Sequence, residues 1–164
     1  MEIIINPKPI TKENFSKFGD MISTNDIKPI EINNGYAKRF DGIANVDTSK
    51  DNGETIISIF SALKRSFPMK IDMMEKHPLG SQAFVPMKDT TFLVFVAPKG
   101  NKPDLNKIEA FIIPPGIGVN YNPGTWHFPL ISTENMNFLV IDRKGSGDNL
   151  VIENLDKEEI VLKY

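Results

Sequence analysis

At 164 residues, 40% hydrophobic and 24% charged, the chain has the make-up of a globular protein and the length of one domain, expected to span residues 1–164. A formal net charge of −2 gives no electrostatic footprint for nucleic acid or for an anionic membrane surface. The chain has no cysteine, which excludes disulfides, zinc–thiolate centres and thiol catalysis.

The first segment, MEIIINP, lacks the basic and apolar regions of a signal peptide and reads as a strand over residues 2–6. Its three isoleucines make it a natural sheet edge that needs cover. Thr11 then reads as the N-cap of a short helix carrying Phe15 and Phe18, with Gly19 as its stop. Extended segments follow at residues 30–40, 55–63, 69–77, 82–88 and 91–97. More are expected at 108–113, 118–121, 125–132, 137–143 and 150–153. Residues 104–107 suggest one helical turn, and 157–164 fit no single element. The longest strongly apolar stretch, Phe92–Ala97, is far below the roughly 20 residues needed to span a bilayer. The expectation is therefore a cytoplasmic protein without membrane contact. Many short strands separated by Asn, Gly and Pro turns argue for an all-β sandwich or barrel with one or two short helices.

Two histidines, His77 and His127, are the whole supply. Each sits in a dense motif, EKHPLGSQAF and NYNPGTWHFPL, so one shared pocket is the economical reading. Alternation along residues 69–77 puts Met69, Ile71, Met73, Glu75 and His77 on one face, against Lys70, Asp72, Met74 and Lys76 on the other. The apolar face should point inward, taking Glu75 and His77 with it. Gln82 and Lys88 share a face on the next strand. Burying such groups without partners costs several kcal/mol, so a polar cavity, a ligand or a metal is expected there.

The segment Pro123-Gly124-Thr125-Trp126-His127 resembles the second signature of the cupin barrels. That superfamily draws its other metal ligands from His-x-His followed by Glu, and the equivalent positions here are Glu75, His77 and Gln82. The resemblance implies a cupin-type β-barrel, a double-stranded β-helix or jelly roll. It also implies one divalent ion held by Glu75, His77, Gln82 and His127. Two imidazoles, a carboxylate and an amide suit Ni, Mn, Fe or Zn. The amide is a weak donor, and metal-free catalysis stays open.

A narrower likeness runs through nearly the whole chain. HPLGSQAFVPM with FLVFVAP, then GVNY leading to WHFPL, then FLVIDR resemble the ureidoglycolate lyase family of ureide (allantoin) catabolism. Two departures stand out: Lys76 where the family often has Arg, and Phe128 where it often has a second His. The resemblance implies a carbon–nitrogen lyase of purine nitrogen breakdown, splitting ureidoglycolate into glyoxylate and urea, and working as a homodimer. His77, His127 and Glu75 are the expected catalytic groups, as acid and base or as metal ligands. Arg39, Lys88 and Arg143 are candidates for the substrate carboxylate, and Ser58, Gln82, Asn120 and Tyr121 for its ureido group. Trp126 is expected to anchor the core. Two alternatives remain: a hydrolase releasing ammonia and carbon dioxide from the same substrate, and a non-catalytic cupin binding a small carboxylate.

Overall fold

The strand Phe92–Ala97 is buried along its whole length, and its side chains alternate between two apolar cores. Phe92, Val94 and Val96 enter one core with Phe84, Phe111 and Phe138, while Leu93, Phe95 and Ala97 enter another with Met74, Trp126 and Ile160. A strand covered on both faces reads as an unbroken apolar run, which is how this segment appears in the sequence. The computed structural model describes residues 2–164. Its main sheets contain seven, five and three strands, with a separate two-stranded hairpin.

The seven-stranded sheet runs in the order Val151–Asn154, Met73–Lys76, Trp126–His127, Phe92–Ala97, Glu109–Ile113 and Lys8–Pro9, with Ile131–Ser132 also beside Phe92–Ala97. The five-stranded sheet runs Gly19–Ile22, Gly118–Tyr121, Gln82–Pro86, Met136–Lys144 and Glu54–Ala62. Both contribute to the first core, where Phe92 and Phe138 meet edge to face at 5.1 Å. The three-stranded sheet, Glu2–Ile5, Glu159–Leu162 and Met69–Ile71, supplies the second core from the other side. Each fully buried aromatic or aliphatic side chain is worth roughly 1.5–3 kcal/mol, so these two cores carry the fold. It is a mainly β fold of cupin type.

Several local expectations are met. Thr11 caps the helix Lys12–Phe15: its hydroxyl accepts from the Asn14 amide at 3.1 Å, and the Asn14 side chain accepts from the Thr11 amide at 2.8 Å. Phe15 and Phe18 are both fully buried. Asp104 caps a 3-10 turn at Leu105–Lys107. The ambiguous tail forms the strand Glu159–Leu162, whose parallel partner Glu2–Ile5 is the outer strand of its sheet. No helix among the described residues is long and apolar enough to cross a membrane.

Others are corrected. The segment 69–77 is two strands in two sheets, interrupted at Asp72, whose carbonyl accepts from the Leu155 amide at 2.7 Å. The break resets the alternation. Met69 and Ile71 join Met74 in the second core, so Met74 is fully buried rather than facing solvent, while Glu75 turns to the opposite side. Gly19 does not stop the helix, which ends at Phe15; it opens the strand Gly19–Ile22. A Cβ there would sit 1.9 Å from the Asn120 carbonyl oxygen, so only glycine permits this approach of the two strands. Residues 125–132 form two short strands, Trp126–His127 and Ile131–Ser132, with Phe128, Pro129 and Leu130 between them.

Candidate active site

Glu75 and His127 lie directly opposite each other on antiparallel strands. His127 is in register with Val96, an inward residue of the first core, and Trp126 with Ala97, an outward one. Alternation thus sends His127 and Glu75 into the barrel and Trp126 into the second core. Trp126 is indeed fully buried there, its indole N–H donating to the Gly100 carbonyl at 3.0 Å. His77 follows at the end of the strand Met73–Lys76, and its carbonyl accepts from the Gly124 amide at 2.9 Å. That bond ties the two histidine motifs together. Gly124 takes φ +81°, a turn conformation that favours glycine.

The three side chains converge. Glu75 Oε1 lies 3.5 Å from His127 Nε2 and 3.8 Å from His77 Nε2, and the two imidazole centroids are 5.2 Å apart. His77 Nδ1 is 2.8 Å from the Asn149 carbonyl oxygen, and His127 Nδ1 is 3.0 Å from that of Thr125. A carbonyl only accepts, so each Nδ1 carries the hydrogen and each neutral ring presents a bare Nε2 lone pair. Both Nε2 atoms are buried and have no hydrogen-bond partner among the described residues. Tyr121 stacks on His127, with centroids 4.4 Å apart and the planes 13° from parallel, fixing that ring from its face.

The electrostatics follow from this packing. Burial by itself raises the Glu75 carboxyl, but contact with His127 and the nearby charges of His127 and His77 more than offset it, leaving the group below its ordinary range. Burial pushes His77 down and the neighbouring His127 adds to that, against the Asn149 carbonyl and the carboxylates of Glu75 and Asp142. Burial, reinforced by the Glu75 charge, pushes the Tyr121 phenol up, so it remains a donor. An ionised carboxylate therefore faces imidazole lone pairs across a gap too long for good hydrogen bonds. Such a cluster is built to hold a cation or a proton.

Gln82, opposite Tyr121 in register, lines the same cavity as Glu75 and His127. Its amide donates to Asp142 Oδ2 at 3.2 Å, which orients the amide and leaves its Oε1, like Asp142 Oδ1, buried without a partner among the described residues. The cavity has a volume of about 420 Å³, a size suited to a small molecule, and Phe60, Phe84 and Leu130 form its apolar wall.

The remaining candidates lie elsewhere. Ser58 is half-buried on the strand Glu54–Ala62, outside the cavity lining. Asn120 points away from Tyr121, its amide donating to Asp20 Oδ2 at 3.1 Å and to the Asn45 carbonyl at 2.8 Å. Arg39 is exposed and paired with Asp41 at 2.7 Å, and Lys88 is exposed and paired with Glu134. Arg143 is buried, but its guanidinium donates to the carbonyls of Lys50, Asp51 and Ser146.

Two residues at the site escaped the sequence reading. Asp142 could have been found, because it shares the inward parity of Phe138 and Val140 on the strand Met136–Lys144. Arg65, which lines the cavity mouth, lies between strands, where no alternation marks it.

The set Glu75, His77 and His127 passes the chemical test for a metal. Their three ligand atoms all lie within 4.8 Å of one another, and two are buried lone pairs without partners among the described residues. Each imidazole also has its Nδ1 fixed by a backbone carbonyl, the usual support for a ligating histidine.

The family model for ureidoglycolate lyase matches residues 2–162. The chain belongs to the ureidoglycolate lyase family. It is 47% identical over 143 residues to a ureidoglycolate lyase of Pseudomonas paraeruginosa, covering 87% of this chain and 85% of that one. A ureidoglycolate lyase of Burkholderia mallei is 44% identical over 149 residues, covering 90% and 87%. One from Pseudomonas putida is 42% identical over 156 residues, covering 94% and 93%. Lys76 Nζ lies 4.6 Å from the Trp126 ring centroid and donates to the Gly100 carbonyl. Phe128 is buried, with the Arg65 guanidinium 5.4 Å from its ring centroid.

Proposed function

We propose that this chain is a ureidoglycolate lyase, cleaving the C–N bond of ureidoglycolate to give glyoxylate and urea. The observation that carries the reading is the pair of bare Nε2 atoms of His77 and His127 on either side of Glu75, which with His127 lines a cavity sized for a small polar molecule. The substrate is a carbinolamide, with hydroxyl, carboxylate and ureido nitrogen on one carbon. Its collapse moves the hydroxyl proton away as the C–N electron pair leaves with nitrogen, and nitrogen must gain a proton. The reaction neither consumes nor releases a net proton.

One Nε2 lone pair accepts the hydroxyl proton, and an imidazole N–H so formed is the donor for the departing nitrogen. Such proton transfers are each worth about a hundred- to ten-thousandfold in rate. Glu75, 3.5 and 3.8 Å from the two Nε2 atoms, stabilises whichever ring becomes cationic. The Nδ1 contacts to Asn149 and Thr125 keep both rings aimed, so no reorientation precedes transfer. Gln82 Oε1, held by Asp142, is an acceptor for a ureido N–H. Glu75, His77, His127 and Gln82 are also the residues that would hold one divalent ion. When bound, such an ion supplies Lewis acidity to the substrate's hydroxyl oxygen. An imidazole that ligates it is not simultaneously the base.

We also propose a homodimer. The strand Glu54–Ala62 is the last in its sheet, and Ile57 and Ile59 on its outer face are 69% and 51% exposed. Their register partners Ile141 and Leu139 continue that apolar face. A second copy of the chain would cover it.

The deciding experiment follows urea and ammonia separately as chelator-treated protein acts on racemic ureidoglycolate, with and without added Mn, Ni, Fe or Zn. Urea and glyoxylate in equal amounts without ammonia is the expected result. Ammonia in place of urea would establish the hydrolase instead, and saturable binding without turnover the non-catalytic cupin.

A further inference from the structure

The substrate proposed above is an anion, yet the site offers it two carboxylates. Glu75 lines the cavity, and Asp142 stands behind Gln82 close enough to act on His77. A third carboxylate entering this space is repelled unless a cation meets it. The three cations suggested by the sequence are committed elsewhere: Arg39 to Asp41, Lys88 to Glu134, and Arg143 to three backbone carbonyls.

Arg65 is the one lysine or arginine among the residues lining the cavity. Its guanidinium lies 5.4 Å from the Phe128 ring centroid and has no acidic partner among the described residues. The backbone beneath it is fixed. The Arg65 amide donates to the Ser132 carbonyl at 2.9 Å, and the Lys64 amide to Asn135 Oδ1 at 2.8 Å. Phe128 is itself buried, its ring held in the second core, so it is a stationary platform. A planar guanidinium resting on an aromatic face keeps its N–H edge free for a bidentate carboxylate, which a lysine cannot match.

We infer that Arg65, carried on Phe128 at the cavity mouth, binds the substrate carboxylate and makes the site selective for carbinolamides that bear one. The inference rests on the lyase reading for the reaction, but the binding of a small carboxylate can be tested apart from turnover.

Two measurements do so. In the first, Arg65→Met is compared with the unaltered protein on ureidoglycolate and on N-(hydroxymethyl)urea, a carbinolamide without a carboxylate that collapses to formaldehyde and urea. The expected result is a KM for ureidoglycolate raised about 30- to 100-fold with kcat changed less than about threefold, the size of effect of a lost charge-assisted bidentate pair. The KM for hydroxymethylurea should not move. Arg65→Lys should recover part of the loss, and Phe128→Leu should raise KM roughly threefold. Equal losses on both substrates, or an unchanged KM for ureidoglycolate, would overturn the assignment.

The second measurement titrates glycolate into each protein by calorimetry. Weakening of about 30-fold in Arg65→Met is expected. Arg65-dependent glycolate binding by a protein that turns over no ureidoglycolate would sink the lyase reading and leave this inference standing. Binding indifferent to Arg65 would overturn the inference whatever the reaction.

Discussion

Two enclosed polar groups in this molecule differ in how far their hydrogen-bonding atoms are satisfied. Arg143 is 7% exposed, and its guanidinium Nε and Nη2 donate to the carbonyls of Lys50, Asp51 and Ser146. In the cluster of Glu75, His77, His127, Gln82 and Asp142, His127 and Gln82 are buried and the others half-buried, yet the Nε2 atoms of both histidines and one oxygen each of Gln82 and Asp142 lack partners among the described residues. Buried polar atoms cost free energy unless paired, so a fully paired set stabilises a fold and an unpaired set is kept for something that arrives later. The contrast separates a clamp that staples two loops from a site that awaits a ligand.

The sharpest way to break this comparison is to remove one member of each set. His127→Ala should lower turnover of ureidoglycolate by about a hundred- to ten-thousandfold, while the thermal midpoint stays close to that of the unaltered protein. Collapse of the fold in this variant would move His127 into the structural class. Arg143→Met should do the reverse, costing about 2–4 kcal/mol in denaturant unfolding because three carbonyls lose their donor, with kcat of the folded fraction nearly unchanged.

An intermediate effect tests whether the bare lone pairs hold a cation. Adding Zn or Mn to the chelated protein at about a hundred times its Kd should raise the unfolding free energy by about 2.7 kcal/mol. His77→Ala should abolish that gain. An identical rise in the variant would place the bound ion elsewhere.

The smallest effect lies outside both sets. Burial alone raises the Glu109 carboxyl, and pairing with Lys17 and Lys8, each at 2.6 Å, more than offsets this, so its folded value lies below the ordinary one. Its contribution is therefore complete above the unfolded-state pKa and is lost as pH falls through the folded-state value. Glu109→Gln should flatten the acid side of a stability–pH curve by less than about 1 kcal/mol, since these partners are exposed. A curve identical to that of the unaltered protein would mean the two lysines add nothing.

Much of the site was legible in the residues. Both histidines, Glu75 and Gln82 were marked by their motifs, and the structure draws them around one cavity and its edge. Glu75 faces inward, but not by unbroken alternation from Met69. The predicted continuous strand would have grouped it with Met69 and Ile71, but the break at Asp72 puts those two in the opposite core with Met74. A one-residue reset of alternation reverses every side chain beyond it, and no local signal at Asp72 announces the change of sheet. The cations were harder still. Arg39, Lys88 and Arg143 could be singled out by type, but whether a cation is free depends on partners remote in sequence, such as Glu134 for Lys88.

Sequence by itself determined the strand-rich class, the Thr11 cap, the buried run Phe92–Ala97 and the identity of the groups able to move a proton near neutrality. These follow from local chemistry: side-chain alternation, capping hydroxyls and the two imidazoles the chain possesses. Only the tertiary structure decided that Nδ1 of each histidine is tied to a carbonyl, that Asp142 orients Gln82, and that Arg65 rather than Arg143 reaches the cavity. Those choices depend on which distant backbone and carboxylate groups the sheets bring within hydrogen-bonding distance. That distance is set by register and strand breaks across the whole barrel, which no short window of sequence contains.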